Sequence, residues 1–256
     1  MRVALAGKGG AGKTTTAATL ARLVARGGDP VVAVDADSNP NLALALGLDR
    51  ERARAVASLP PELVSRRLDG HRLTEPLETV LDRYATDGPD GVRVLAMGMP
   101  AHAEEGCLCA AHATVSALLG DLGDRPDWQT VVDLEASPEH LSRGTARHAD
   151  VLLLVAEPYY RALETVRRLA RLAAELPIPR VAVVANKLRT TADADAVAEF
   201  CDRHDLELAG GIPWSDAVVA ADGAGVPLIE DDPDGDVVAA VGRLARWTAG
   251  RPTNGS

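Results

Sequence analysis

The chain has 256 residues, 46% of them hydrophobic, a formal charge of −10 and three cysteines. That length and apolar content suffice for one large α/β core, and the acidic balance argues against a strongly nucleic-acid-binding surface. No apolar run approaches the ~20 residues needed to cross a bilayer, the cysteines make no disulfide framework, and the chain opens on what reads as a strand, so no signal peptide is expected. A cytoplasmic protein that binds neither membrane nor nucleic acid is expected.

Residues 2–6 form a short apolar run, as a buried first strand does, and are followed by Gly7-Lys8-Gly9-Gly10-Ala11-Gly12-Lys13-Thr14. This fits the phosphate-binding pattern G-x-x-x-x-G-K-[ST]. Glycines let backbone N–H groups curl around phosphate oxygens, Lys13 reaches the β- and γ-phosphates, and the Thr14 hydroxyl is placed for Mg²⁺. Lys8 is a second lysine at the loop's outer edge, suited to phosphates held by a partner subunit rather than its own. From Thr14 to Arg26 apolar residues recur at helical spacing until Gly27-Gly28, so a helix N-terminus points at the phosphates. Lys8, Lys13 and Lys187 are the chain's lysines among 27 Lys plus Arg, and all three fall in segments assigned to the nucleotide.

Further Val/Leu-rich runs at Val31–Asp35, Val92–Met97, Thr130–Leu134, Val151–Val155, Val181–Ala185 and Leu206–Ile212 alternate with helical segments. They predict a doubly wound, mostly parallel sheet flanked by helices, with ligands at the carboxyl ends of the strands. Residues 1–250 are expected to form one domain and 251–256 a frayed tail. The proline-containing stretch from Asp49 to Asp90 is expected to be a helical insertion or a switch-adjacent region. Arg161, Arg167, Arg168 and Arg171 are expected to lie on a solvated helix face, and the segment from Asp236 to Thr248 to form a closing helix packed on the sheet.

Chemistry concentrates at the strand ends. After the second strand, Asp35 and Asp37 are two carboxylates suited to the Mg²⁺ shell or to positioning an attacking water; a cap and turn is the alternative. Asp133 closes a later apolar strand and is the expected Mg²⁺ partner, with Glu135 beside it to orient water or pair with Arg143. Asn186 follows another strand, where its amide suits the donor/acceptor edge of adenine unless the loop is simply polar. Pro213, in Ile212-Pro213-Trp214, is placed to offer backbone to the base.

Cys107 and Cys109 are separated by one residue. Two thiolates are half the set that Zn²⁺ or thiolate-bound Ni²⁺ wants, and a two-fold axis through a closed dimer supplies the other half. The alternative is a pair of buried cysteines. His102, Glu104, Glu105 and His112 are nearby and individually expected at the surface, while Cys201 is expected in the core.

The two-lysine loop, Asp35 and Asp37, Asp133 and Asn186 together resemble the deviant phosphate-loop ATPases that include MinD, ParA and the nitrogenase iron protein, over nearly the whole chain. The resemblance implies a Mg-ATP-dependent ATPase whose two subunits close face to face on nucleotide. Lys8 would cross that interface and act with Lys13, and Asp37 would position water. Thr14, Asp35 and Asp133 would serve Mg²⁺, and the nucleotide would be held by the loop through Thr15 together with Asn186 and Pro213. Ser137 stands where that group usually has glycine. The Cys-x-Cys pair with Asp133-Leu-Glu-Ala and Glu139-His140-Leu141 is similar to CooC-type accessory ATPases, which implies nickel delivery to a client metalloenzyme. An iron–sulfur reductase like the nitrogenase iron protein and a MinD/ParA-like positioning ATPase are the alternatives.

Overall fold

The computed structural model describes residues 1–67, 70–97 and 109–250. The elements run β1 (Arg2–Gly7), α1 (Lys13–Arg26), β2 (Val31–Ala36), α2 (Leu42–Leu46), α3 (Arg50–Arg54), β3 (Val64–Arg67), β4 (Gly70–Leu73), α4 (Leu77–Tyr84), β5 (Thr86–Asp87) and β6 (Arg93–Ala96). They continue with α5 (Cys109–Gly123), β7 (Gln129–Leu134), α6 (Glu139–Ser142), β8 (Val151–Ala156), α7 (Tyr160–Ala173), β9 (Arg180–Leu188), α8 (Thr191–Arg203), β10 (Glu207–Pro213), α9 (Asp216–Ala224), α10 (Leu228–Asp231) and α11 (Asp236–Ala249). The main sheet has the order β10-β9-β8-β1-β7-β2-β6-β5 and is parallel except where β5 meets β6.

Continuous apolar strands make sense because both faces are covered. Along β1, Ala4 and Ala6 pack into one core with α4, α5, α7 and α8, while Val3 and Leu5 pack into the other with α1, α2 and α11. The same alternation sorts β8, with Leu152 and Leu154 on one side and Leu153 and Val155 on the other. β1 sits between β7 and β8, so the chain leaves β1 toward β2 on one side and reaches β8 on the other. The loop after β1 therefore lies at a switch point of the strand order, where such sheets leave a crevice.

The stretch from Asp49 to Asp90 corrects the expectation of a helical insertion. It carries short helices α3 and α4, but also an antiparallel hairpin, β3 with β4, and the antiparallel edge strand β5. The hairpin packs on α5, which buries one face of a ribbon too short to stand alone. Arg161, Arg168 and Arg171 are exposed on α7, and Glu164 pairs with Arg167 and Arg168. Residues 251–256, assigned to a tail, lie outside the described residues.

Candidate functional site

The phosphate loop spans β1 to α1. Gly12 has a φ of 94°, and a Cβ there would stand 2.3 Å from the Asn186 amide nitrogen, so both its conformation and its surroundings demand glycine. α1 begins with no side-chain cap and no acidic residue in its first turn, leaving its positive end open to an anion. Lys13 is buried, and among the described residues its hydrogen-bond partner is the Lys8 carbonyl oxygen at 3.5 Å. Lys8, Gly9 and Gly10 are exposed. A cavity of about 370 Å³ opens here, lined among others by Lys13, Thr14, Asn186, Pro213, Trp214 and Val218.

Thr14 Oγ1 donates to Asp133 Oδ2 at 2.5 Å. Asp133 is buried, its second oxygen has no hydrogen-bond partner among the described residues, and burial pushes its pKa up to about 7. An orphaned buried carboxylate oxygen beside a threonine hydroxyl fits a hard cation that prefers oxygen ligands. Asp35 lies directly across the ladder from Asp133 and is equally buried. Its oxygens accept from the Asp37 N–H at 3.2 Å and the Leu42 N–H at 2.8 Å. Both oxygens thus accept backbone N–H groups and shape the loop that carries Asp37. The Asp37 side chain accepts from the Asn39 N–H at 2.8 Å, a local turn directly after β2.

Asn186 is buried behind the phosphate loop, donating to the Ala11 carbonyl oxygen at 2.6 Å and accepting the Lys187 N–H at 2.8 Å. One end of its amide thus already serves the loop rather than a base. Trp214 lines the cavity next to Pro213, with the Arg189 guanidinium 3.8 Å from its ring centre. The sequence reading placed backbone here and gave the indole and Val218 no role. The signal for an aromatic wall, a tryptophan in a chain with 3% aromatics, was present.

On the other side of the site, Cys109 opens α5 and Cys107 lies outside the described residues. Cys109 is disulfide-bonded here. The Arg143 guanidinium lies 2.8 Å from the Cys109 sulfur and also pairs with Glu139. That corrects the expected Glu135–Arg143 pair: Glu139 stands one helical turn from Arg143, within reach of its side chain. His112, expected at the surface, is buried and meets His140 edge to face with ring centres 4.5 Å apart. Both rings are held neutral by burial, His140 with a pKa driven down to about 3. His102, Glu104 and Glu105 lie outside the described residues. Among the described residues no group of three or more His, Cys, Asp or Glu side chains is placed to hold a metal ion. Cys201 is buried in α8.

A doubly wound sheet with a glycine-rich loop and an open helix N-terminus at its switch point defines a phosphate-loop nucleotide-binding protein. Residues 3–228 match the family model of the CobQ/CobB/MinD/ParA nucleotide binding domain, and the chain belongs to that family. It is 35% identical over 241 residues, 91% of each chain, to the carbon monoxide dehydrogenase accessory protein CooC of Rhodospirillum rubrum. An uncharacterised ATP-binding protein of Methanocaldococcus jannaschii is 31% identical over 89% of this chain and 91% of its own. The MinD cell division protein of Aquifex aeolicus shares the fold with a TM-score of 0.70 at 18% identity, over 98% of both chains.

Proposed function

We propose that the protein is a Mg-ATP-dependent, homodimeric ATPase that works as a metallochaperone, carrying Ni²⁺ or Zn²⁺ to a client metalloenzyme. The observation that carries this reading is the 35% identity to a carbon monoxide dehydrogenase accessory protein across nine-tenths of both chains, in a sequence that holds a Cys-x-Cys pair. The phosphate loop would hold the nucleotide, with Lys13 on its β- and γ-phosphates and the Lys8 ammonium, on the exposed rim, reaching across to the second subunit's nucleotide. Thr14 and Asp133 would hold Mg²⁺, which supplies charge neutralisation between the phosphates. Asp37, directly after β2, would orient the attacking water. Cys107 and Cys109 of both subunits would complete a four-thiolate site for the cargo.

The physical appeal of this arrangement is that α6, which follows Asp133 closely in the chain, touches the start of α5 through Arg143 and the His140–His112 contact. A change in the nucleotide-facing segment has a short, packed route to the cysteines. The test is elemental analysis of reduced, anaerobically purified protein offered Ni²⁺ or Zn²⁺ with a non-hydrolysable ATP analogue. About one metal per two chains, lost in Cys107→Ser with nucleotide binding intact, is the expected result. Iron with sulfide would replace the reading with a redox ATPase, and metal stoichiometry unaltered by Cys107→Ser would sink it.

A further inference from the structure

Lys187 occupies a conformation that L side chains other than glycine, asparagine and aspartate rarely adopt, with a φ of 60° at the end of β9. A lysine in such a position, one of three in a chain whose other basic residues are arginine, calls for a use of its ammonium group. That group donates to the Gly10 carbonyl oxygen at 2.6 Å and pairs with Glu157 at 2.9 Å. The preceding residue, Asn186, donates to the Ala11 carbonyl oxygen at 2.6 Å. Two adjacent side chains therefore grip two adjacent carbonyls of the phosphate loop. The Lys187 N–H in turn fixes the Asn186 amide by donating to its oxygen at 2.8 Å.

The consequence follows from peptide geometry. In a trans peptide the N–H points opposite to the carbonyl before it, so holding a carbonyl on one side aims the next N–H to the other. The Ala11 N–H closes a turn onto the Lys8 carbonyl oxygen at 3.1 Å, and the Gly12 N–H points away from the held Ala11 oxygen. A loop whose value lies in the direction of its N–H groups gains most from being braced at its carbonyls. Glu157 directly follows β8, so the ammonium ties together the ends of three neighbouring strands, β1, β8 and β9.

We propose that Lys187, seated by Glu157, is a positioning residue that braces the phosphate loop from outside, setting affinity for the phosphates of the nucleotide rather than for its base or ribose. This goes beyond the metallochaperone reading and is independent of it, because it is tested by binding alone. The experiment measures affinity for Mg-ADP, a non-hydrolysable Mg-ATP analogue and adenosine in the wild type and in K187M, K187R and E157Q. Lys→Met removes the ammonium and keeps an unbranched side chain, one atom shorter, so the strain at this φ is the same in both.

K187M is expected to weaken both nucleotides by about tenfold and leave adenosine unchanged, a loss the size of one charge-assisted hydrogen bond. K187R, which keeps donors for Gly10 and Glu157, recovers most of that loss; E157Q weakens the nucleotides about threefold. A general loss of fold would lower the melting temperature without separating ADP from adenosine. Nucleotide affinities unaltered in K187M, or an equal loss for adenosine, would overturn the assignment. Should K187M fail to fold, the same ADP-to-adenosine ratio in E157Q decides it, an unchanged ratio being the overturning result.

Discussion

Asp35 and Asp133 stand side by side in the ladder at the ends of β2 and β7, both 2% exposed, yet their surroundings differ in kind. After β2 both oxygens of Asp35 accept backbone N–H groups, and one oxygen of Asp37 accepts a third. After β7, among the described residues, one oxygen of Asp133 and one ring nitrogen of His112 are buried without a hydrogen-bond partner, and the His140 ring is buried beside them. A buried carboxylate with its partners in place shapes a loop. A buried carboxylate lacking one keeps the desolvation penalty unrelieved, which is tolerable where a ligand supplies the missing contact. The β2 end is satisfied by its own backbone, whereas the β7 end keeps an oxygen open to a ligand.

The strongest way to break that contrast is the same substitution on both sides. Asp133→Asn should lower Mg-dependent ATP turnover by about 100-fold or more, since it weakens the oxygen set for the cation. The ligand-free protein should be as stable as the wild type or more so by about 1 kcal/mol, because a buried carboxylate with one oxygen unsatisfied is replaced by a neutral amide. Asp35→Asn should do the reverse in stability. It keeps one acceptor where two N–H groups need it, and denaturant unfolding should show a loss of about 1–3 kcal/mol. If Asp35→Asn is neutral in stability while Asp133→Asn is costly, the roles assigned to the two carboxylates are exchanged.

Much of this was legible in the sequence, and the reasons are physical. The phosphate loop was readable because each of its residues answers a local steric or electrostatic need, as Gly12 does. The sheet was readable because strands covered on both faces must be apolar throughout, as β8 is. The hairpin β3–β4 was missed because Val64–Arg67 and Gly70–Leu73 are short and polar, and α5 supplies the apolar partner from far along the chain. His112 was misplaced for a similar reason. Its burial depends on His140, 28 residues away, and no local pattern records that meeting. The different hydrogen bonding of Asp35 and Asp133 was equally invisible, because it turns on which backbone N–H groups each carboxylate faces.

His140 offers a second test of the unsatisfied side. Burial drives its pKa from an ordinary 6.5 down to about 3, so the folded protein binds fewer protons at this ring than the unfolded chain does. Its contribution to stability is complete above pH 6.5 and is lost as pH falls below it. Replacing it with leucine should flatten the loss of unfolding free energy by about 1.4 kcal/mol per pH unit between pH 6 and pH 4. Equal slopes in wild type and His140→Leu would mean that the acid sensitivity of this region originates elsewhere.

Ser137 should give the smallest effect and the most direct view of motion after β7. Its N–H donates to the Glu135 carbonyl oxygen at 2.8 Å, and its hydroxyl accepts the Glu139 N–H at 3.1 Å, so the segment is tied to itself rather than to a phosphate. The resemblance to deviant phosphate-loop ATPases puts glycine here, with its N–H on the γ-phosphate. Ser137→Gly removes the side-chain tie and widens the backbone's choices, lowering the cost of turning that N–H toward the nucleotide. Turnover at saturating Mg-ATP should rise by about threefold, less than 1 kcal/mol in barrier, with KM changed little. A slower variant would show instead that the ordered segment, held by Ser137, already presents the arrangement hydrolysis needs. The segment after β7 would then work through its own hydrogen bonds, as the loop after β2 does.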